Sequence, residues 1–268
     1  MRLSKGHRRI IEYISAHYEK AVFMTASKLG EEVGVSESTV VRFALALGYD
    51  GYPKLQRVLK EIVRHRLTNV QRFEMAADLS SDEILRTVLK ADMQNIRATI
   101  DTCDEQAFHQ AVESILDARK LYILGMRSAA PLAQFMGHYL HYLFENLRIV
   151  GQGTNDIFEQ ISRVGEGDVL FGISFPRYSR RTMEAMELAK KRGAKVIGLT
   201  DGPMSPLRGA STVCLTARTD MTSFVDSLAA PMTMINALIA ALGMKRKTQL
   251  TEHFAMMEGV WDEFGVYL

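Results

Sequence analysis

The sequence predicts an α/β protein in which an all-α N-terminal domain precedes a doubly wound sheet of five parallel strands. Three observations lead to this fold class. Apolar segments with strand and helix periodicity alternate five times between Lys120 and about residue 242. The apolar residues of the first 77 positions follow helical spacing instead. Residues 1–77 also hold 13 Lys and Arg against 8 Asp and Glu, whereas residues 78–268 hold 20 against 23, so a basic domain precedes a mildly acidic one.

Composition and cysteine usage indicate a folded protein of a reducing compartment. Of the 268 residues, 47% are hydrophobic and 24% are charged, which is ordinary for a globular chain. Cys103 and Cys214 lie far apart, in neither disulfide nor zinc-ligand spacing. The N-terminal segment lacks the apolar core of a secretory signal, and the most apolar stretch, residues 224–244, is interrupted by polar residues and a proline. We therefore expect a cytoplasmic protein.

The basic first domain contains a predicted helix-turn-helix. Thr25 caps a short helix, Gly34 ends it at a position where glycine is favoured, and Ser36 caps the next helix. The inward side of that second helix is predicted to be Val40, Phe43, Ala44 and Leu47. Two helices joined by a glycine turn form the geometry that sets the second helix into the major groove of DNA.

Side chains suited to DNA contacts lie at the outward start of the second helix and in the helix that follows. Hydroxyl and guanidinium groups bond base edges or phosphates, and lysine suits phosphates. The predicted DNA-binding residues are Ser36, Glu37, Ser38, Thr39, Arg42, Lys54 and Arg57. Spacing alone leaves open a helical bundle whose polar face is merely solvated, and the basic charge of the domain favours DNA.

A linker and two helices separate this domain from the predicted sheet. The domain boundary is expected near residues 75–82, giving domains over 1–77 and 78–268, and an amphipathic helix that begins at Ser81 runs to about residue 100. A helix over about 104–117 follows. The predicted strands cover 120–125, 147–151, 168–174, 194–200 and 211–217, with helices over 130–145, 155–163, 179–192 and 225–242. Ligands of such parallel sheets bind beyond the carboxyl ends of the strands.

Two loops at that edge carry arginine and hydroxyl groups at the start of a helix. The segment "LGMRSAAP" follows the first strand, and "SFPRYSRRT" follows the third. Free N–H groups at helix starts and the planar guanidinium both favour anions. The residues predicted to surround a small anionic ligand are Arg127, Ser128, Ser174, Arg177, Tyr178, Ser179 and Arg180. Taken singly, Ser179 could be only a helix cap, and Arg180 only a surface residue of the first helical turn.

Other chemistries find less support in the sequence. The turn after the first strand lacks the G-x-G-x-x-G pattern of a dinucleotide site. His138 and His141 lie three positions apart without acidic or cysteine partners, so neither a metal site nor a cofactor is predicted. Glu159 and His253 are the candidate acid–base residues if the second domain is an isomerase-type enzyme. A scaffold with a protein-binding helical bundle is the remaining alternative.

The segment "LGEEVGVSESTVVRFALALGYDGYPKLQ" resembles the N-terminal domain of the RpiR family of bacterial transcriptional regulators. Members typically show GVS-x-x-T-V-x-R-F in the recognition helix, followed by LG-[FY]-x-G-[FY]-x-x-[LF]. The positions that match are Ser36, Thr39, Val40, Arg42, Phe43, Leu47, Gly48, Gly51 and Tyr52. The resemblance covers roughly residues 1–77.

Residues 80–245 resemble the SIS (sugar isomerase) domain, the usual second domain of that family. The resemblance rests on strand order and on the segments "YILG" and "AKKRGAKVIGLTD". In SIS domains the loop after the first strand is often G-x-G-x-S and the loop after the third S-x-S-G-x-T, and both bind sugar phosphates. Here Ser174 and Ser179 keep two hydroxyls of the second loop, whereas Pro176 and Arg177 replace its second serine and its glycine. The first loop is one residue shorter or lacks its second glycine, and Ser128 is its remaining hydroxyl.

The resemblance implies a DNA-binding transcriptional regulator rather than an enzyme. Its SIS-like domain would sense a small anionic metabolite, a sugar phosphate or a sugar acid, and modulate binding to an operator. The implied partners are a pseudo-palindromic duplex DNA and further copies of the chain, as a homodimer or homotetramer, with no membrane. The helix over about 82–100 is the predicted mechanical link between the domains.

Overall fold

The structure, a computed structural model, describes residues 4–64, 68–76, 82–151, 153 and 155–267. The chain forms two compact units, Met1–Asp78 and Leu79–Leu268. Ser81 and most of the predicted linker lie outside the described residues. None of the described helices combines the length and apolar character needed to cross a lipid bilayer.

All regular elements in the described part of the first unit are helices. Its helices are α1 (Lys5–Ala16), α2 (Tyr18–Ala21), α3 (Ala26–Val33), α4 (Glu37–Ala46), α5 (Tyr52–Arg64) and α6 (Asn69–Ala76). Their core includes Ile10, Leu29 and Val40, each with no exposed surface. Burying an aliphatic side chain of this size contributes about 1.5–3 kcal/mol relative to leaving it exposed.

The helices α3 and α4 form the predicted helix-turn-helix. Thr25 and Ser36 each accept a hydrogen bond from the backbone N–H three residues further on, at 3.2 and 3.3 Å. Gly34 between the helices has a φ of 70°, a conformation that glycine adopts without steric cost. The two helices approach closely at Gly30, where a Cβ would lie 2.8 Å from the Val35 carbonyl oxygen.

The prediction that Leu47 is a core residue of α4 is wrong. Leu47 is 41% exposed, whereas Val40, Phe43 and Ala44 are buried as predicted. The helix ends at Ala46 and Leu47 is its C-cap. Helical spacing therefore no longer sets the direction of the Leu47 side chain.

The second unit places five parallel strands among helices. Its elements are α7 (Ile84–Thr102), α8 (Glu105–Leu116), β1 (Leu121–Gly125), α9 (Ala130–Leu140), β2 (Leu147–Val150), α10 (Ile157–Gln160), β3 (Val169–Ile173), α11 (Arg180–Lys191), β4 (Lys195–Thr200), α12 (Leu207–Ala210), β5 (Val213–Thr216), α13 (Ala229–Lys245) and α14 (Lys247–Phe264). The strand order is β2-β1-β3-β4-β5. The described residues thus form the predicted doubly wound parallel sheet.

Both faces of this sheet are covered. Residues of α8, α9 and α13 form one buried cluster against side chains such as Ile123 and Phe171. Residues of α10, α11 and α12 form the other against Tyr122 and Leu170. Neighbouring residues of a strand face opposite sides, which explains the uninterrupted apolar runs of β1 and β3.

Several elements depart from the sequence prediction. The short helix α12 lies in a predicted loop, and α14 follows the last predicted helix. On α7 the apolar residues Leu85, Leu89 and Met93 are 54–70% exposed. The same helix buries the polar residues Asn95 and Thr99 instead. The amphipathic pattern of α7 therefore marks a face that remains uncovered within a single chain.

Candidate ligand site and nucleic-acid interface

The order of the strands defines a switch point between β1 and β3. The chain leaves β1 towards β2 on one side and passes to β3 on the other, and such reversals create a crevice at the carboxyl edge. Gly125 at the end of β1 pairs with Ile173 at the end of β3. Since neighbouring strands lie about 4.8 Å apart, the two predicted ligand loops begin side by side.

Both loops contain an arginine with left-handed backbone. Arg127 has a φ of 56° and Arg177 a φ of 65°, and these are the non-glycine residues with positive φ in the described part of the chain. An L-residue in this region costs about 1–2 kcal/mol relative to right-handed backbone. Arg177 stands at the glycine position of the SIS loop pattern, and Arg127 stands where the first loop lacks its glycine. The loops have thus kept a glycine-type backbone while carrying guanidinium groups.

The loop after β3 is held by its own serines. Ser174, 4% exposed, accepts a hydrogen bond from the Ser179 N–H at 3.0 Å. Ser179 in turn accepts from the Thr182 N–H at 3.2 Å and caps α11, so its capping role is confirmed. A hydroxyl that accepts one bond keeps its proton for donation, and both serines can still bond an anion.

Tyr178 fastens the same loop to the end of β4. Its hydroxyl donates to Asp201 Oδ1 at 2.8 Å, and the Thr200 hydroxyl donates to the same oxygen at 3.1 Å. Asp201 directly follows β4 and lies 23 residues from Tyr178, so sequence spacing carries no signal for this pair. Tyr178 therefore positions the loop as well as lying in it.

The next two arginines of the opening turn pair with carboxylates. Arg180 is 91% exposed at its side chain and donates to Glu184 at 3.0 Å, one turn along α11. Arg181 pairs with Asp156, and its guanidinium lies 5.4 Å from the Phe158 ring centre. The Phe158 N–H and then Arg181 lower the pKa of Asp156 below its usual value. Arg180 is thus a surface residue of the first turn of α11, which is the alternative that the sequence left open.

The loop after β1 borders a cavity of about 240 Å³. Its lining includes Arg127, Gln134 and Val150. Of the described residues, neither Ser128, which is exposed, nor any member of the 174–180 loop contributes to it. Gly125 is needed here because a Cβ would lie 2.4 Å from the Ala129 carbonyl oxygen. The structure therefore brings the two loops together at one edge but encloses only the Arg127 side.

The start of α4 presents a small hydroxyl cluster. Ser36 Oγ lies 2.9 Å from both the Ser38 and the Thr39 hydroxyl oxygens. Ser38 is exposed, as is Glu37, whereas Thr39 is half-buried. Arg42, also exposed, donates from Nε to the Ser38 carbonyl at 3.2 Å and so lies along its own helix.

The predicted phosphate-contacting residues lie on α5. Lys54 is exposed and forms an ion pair with Asp50. The bond from Lys54 lowers the pKa of the Asp50 carboxyl. Arg57, one turn further along α5, is exposed. Both cations lie at the surface, as phosphate contacts require.

The candidate enzyme and metal residues lie in other settings. Glu159 is exposed on the short helix α10, whereas the His253 ring on α14 packs 5.8 Å from the Tyr142 ring. His138 packs 5.0 Å from Tyr139. Across the described residues, no three His, Cys, Asp or Glu side chains gather as metal ligands would.

Comparison with known proteins identifies both domains. Residues 1–65 match the helix-turn-helix domain of the rpiR family, and residues 114–241 match the SIS domain. The HTH-type transcriptional regulator HexR of Pseudomonas aeruginosa is 26% identical over 256 residues, 94% of this chain and 88% of that protein.

Solved structures share the fold. The sugar isomerase domain of an RpiR transcription factor from Sphaerobacter thermophilus has a TM-score of 0.63 at 24% identity, over 66% of this chain and 98% of that one. The Vibrio vulnificus NanR protein complexed with ManNAc-6P has a TM-score of 0.60 at 20% identity, over 98% and 94%. Sugar-phosphate isomerases also occur among the structural neighbours.

A helix-turn-helix domain followed by a SIS domain defines a class of DNA-binding transcriptional regulators. The motifs of both domains and the relatives named as regulators agree on this class. The chain belongs to the RpiR family.

Proposed function

We propose that this regulator binds a small anionic metabolite, a sugar phosphate or sugar acid, at the β1/β3 edge and that occupancy changes its affinity for an operator. The observation that carries the proposal is the pair of left-handed arginines at the ends of adjacent strands. Strained backbone persists where a function requires it. The proposed ligand contacts are Arg127, Ser128, Ser174, Arg177, Tyr178, Ser179 and Arg180.

Helix starts add to the favourable electrostatics. The helices α9 and α11 both begin directly after these loops, and the positive end of a helix dipole attracts anions. The presence of ManNAc-6P in the NanR structure supports a phosphorylated sugar as the ligand class.

The ligand site is tested by thermal shift with a panel of sugar phosphates and sugar acids. A metabolite that binds only the folded state raises Tm, by the equivalent of about 2.7 kcal/mol at a hundredfold excess over Kd. We expect Arg177→Ala to abolish the shift. Lys191→Ala, which removes an exposed charge at the far end of α11, is the control and should retain it. An unchanged shift in Arg177→Ala removes Arg177 from the site.

The DNA-binding part of the proposal concerns side chains at the start of α4 and on α5. The proposed contacts are Ser36, Glu37, Ser38, Thr39, Arg42, Lys54 and Arg57. We expect Arg42→Ala to weaken binding to a selected operator by about 1–3 kcal/mol while sparing random duplex. Arg57→Ala, the matched control, should weaken both equally because it contacts phosphate. Fluorescence anisotropy on both duplexes measures the difference, and equal losses for Arg42→Ala would contradict a base-reading role.

Self-association completes the proposal. The uncovered face of α7, formed by Leu85, Leu89, Met93 and Ile100, is 54–70% exposed. Large exposed apolar patches mark interaction sites. A second copy of the chain is the proposed occupant, because two reading heads related by twofold symmetry match a pseudo-palindromic operator.

A further inference from the structure

The N-terminal helix α1 carries a basic side that the DNA contacts described above leave out. Lys5, Arg8 and Arg9 are all exposed on this helix. Ser4 caps it by accepting a bond from the His7 N–H at 3.2 Å, and Ile10 anchors it in the core. The position of this basic side is therefore fixed by the fold of the first unit.

The first turn of α1 packs against the start of α4. A Cβ at Gly6 would lie 3.1 Å from Thr39 Cγ2 and 3.6 Å from Val35 Cγ1. Val35 precedes the cap of α4, and Thr39 is in its first turn. Residues flanking Gly6 on the surface of α1 thus lie beside the end of α4 that enters the groove.

Arg9 lies against the turn between α3 and α4. Its Nη1 donates to the Gly34 carbonyl at 3.2 Å. One such bond leaves other N–H donors of the guanidinium for a second acceptor. The contact holds the charge at the edge of the helix-turn-helix rather than on a freely rotating side chain.

Helical geometry divides the three cations between two sides. Residues three and four apart are neighbours on a helix, so Lys5 adjoins both Arg8 and Arg9. Counted at 100° per residue from Gly6, which packs against the start of α4, Arg9 lies about 60° away, Lys5 about 100° and Arg8 about 160°. Arg8 lies about 100° around the helix from Arg9. Lys5 and Arg9 therefore adjoin the groove-entering end of α4, and Arg8 faces away from it.

We infer that Lys5 and Arg9 form a backbone-contacting surface that grips DNA phosphates flanking the groove entered by α4. This inference rests on the proposed DNA binding and adds a second helix to it. The partner is the phosphate backbone of duplex DNA, because cations beside a groove-entering helix complement it without reading sequence.

The test measures affinity for a random-sequence duplex across a salt series, using the full chain. Each phosphate contact contributes about 0.9 to the slope of log K against log salt concentration. We expect Lys5→Gln and Arg9→Gln each to lower the slope by about 0.9, and the double variant by about 1.8. Glutamine retains an amide donor for the Gly34 carbonyl, and unfolding curves verify that the variants fold.

Arg8→Gln is the matched control, since it removes the same charge from the other side of the same helix. It should leave the slope unchanged. If the double variant of Lys5→Gln and Arg9→Gln has the same salt slope as Arg8→Gln, the inference is overturned and the proposed DNA binding remains intact. A wild-type chain without salt-dependent affinity for duplex DNA would overturn both.

Discussion

At Arg127 and Arg177 a side-chain charge is combined with a backbone conformation that glycine adopts most easily. The φ values of 56° and 65° occur where α9 and α11 are about to begin. Relatives with glycine in these loops would avoid the conformational cost but would present no guanidinium. Retaining arginine at both positions is a physical argument for an anionic ligand, and it is independent of the helix starts.

The strain at Arg177 can be measured with a pair of variants. We expect Arg177→Gly to be more stable than Arg177→Ala by up to about 1 kcal/mol, because glycine avoids the cost of positive φ while raising the unfolded-state entropy. Urea denaturation gives the difference. The control is the same pair at Arg180, the first residue of α11, where alanine should be the more stable by about 0.5–1 kcal/mol. If alanine is the more stable variant at both positions, backbone strain at Arg177 is contradicted.

Sequence predicted the local features of these loops and missed the long-range ones. The capping of α11 by Ser179 follows from residue type and position, and the structure confirms it. The bond from Tyr178 to Asp201 joins residues 23 apart, and sequence spacing carries no signal for such a pair. The left-handed backbone of both arginines could not be predicted either, since a residue with a long side chain rarely adopts it.

Among the elements, α7 is attached to the carboxyl edge of the sheet by buried polar side chains. Asn95, 2% exposed, donates to the Asp220 carbonyl at 2.9 Å and accepts from the Asp220 N–H at 3.0 Å. Thr99 accepts from the Arg218 N–H at 2.9 Å. These bonds attach the helix to the loop that follows β5, at the carboxyl edge of the sheet. The role of this helix as a mechanical link between the domains stays a prediction, which these bonds allow to be tested.

Removing this attachment should separate binding from response. We expect Asn95→Ala to retain a metabolite-induced rise in Tm but to lose most of the metabolite's effect on DNA affinity. The stability should fall by about 2 kcal/mol, because the backbone N–H and carbonyl of Asp220 lose their two bonds to the buried Asn95 side chain. Thermal shift and anisotropy measure the two readouts.

The control for Asn95→Ala comes from the same helix. Thr102 is exposed, and its hydroxyl donates to the Ala98 carbonyl of α7 itself. Thr102→Ala should therefore leave both readouts unchanged. If Asn95→Ala also responds normally, α7 does not transmit the signal through Asp220.

Helices and strands could be predicted where the residues that determine them are close together in the sequence. Alternating apolar runs predicted the strands, and serine or threonine caps with Gly34 predicted the helix-turn-helix. The exposed face of α7 shows the limit of such reasoning. Its apolar spacing predicted a buried side, whereas the single chain leaves that side exposed and buries Asn95 and Thr99 on another side of the helix. Polar bonds to residues more than 100 positions away determine which side faces inward.

For the whole molecule, the proposed mechanism couples a metabolite site on the SIS domain to the helix-turn-helix domain. A metabolite can shift operator affinity only by the difference in its affinity for the two DNA-binding states, typically 1–3 kcal/mol or about 5- to 150-fold. If a second copy of the chain binds the uncovered face of α7, its DNA-binding domain would respond to the same metabolite.

The most direct measurement is the affinity of the full chain for a duplex selected from random sequence, with and without the metabolite that gives the largest thermal shift. The account predicts a change of at least fivefold in the wild type and none in Arg177→Ala, whose affinity without metabolite should equal that of the wild type. A wild-type affinity that stays constant while the metabolite saturates the protein would contradict the account.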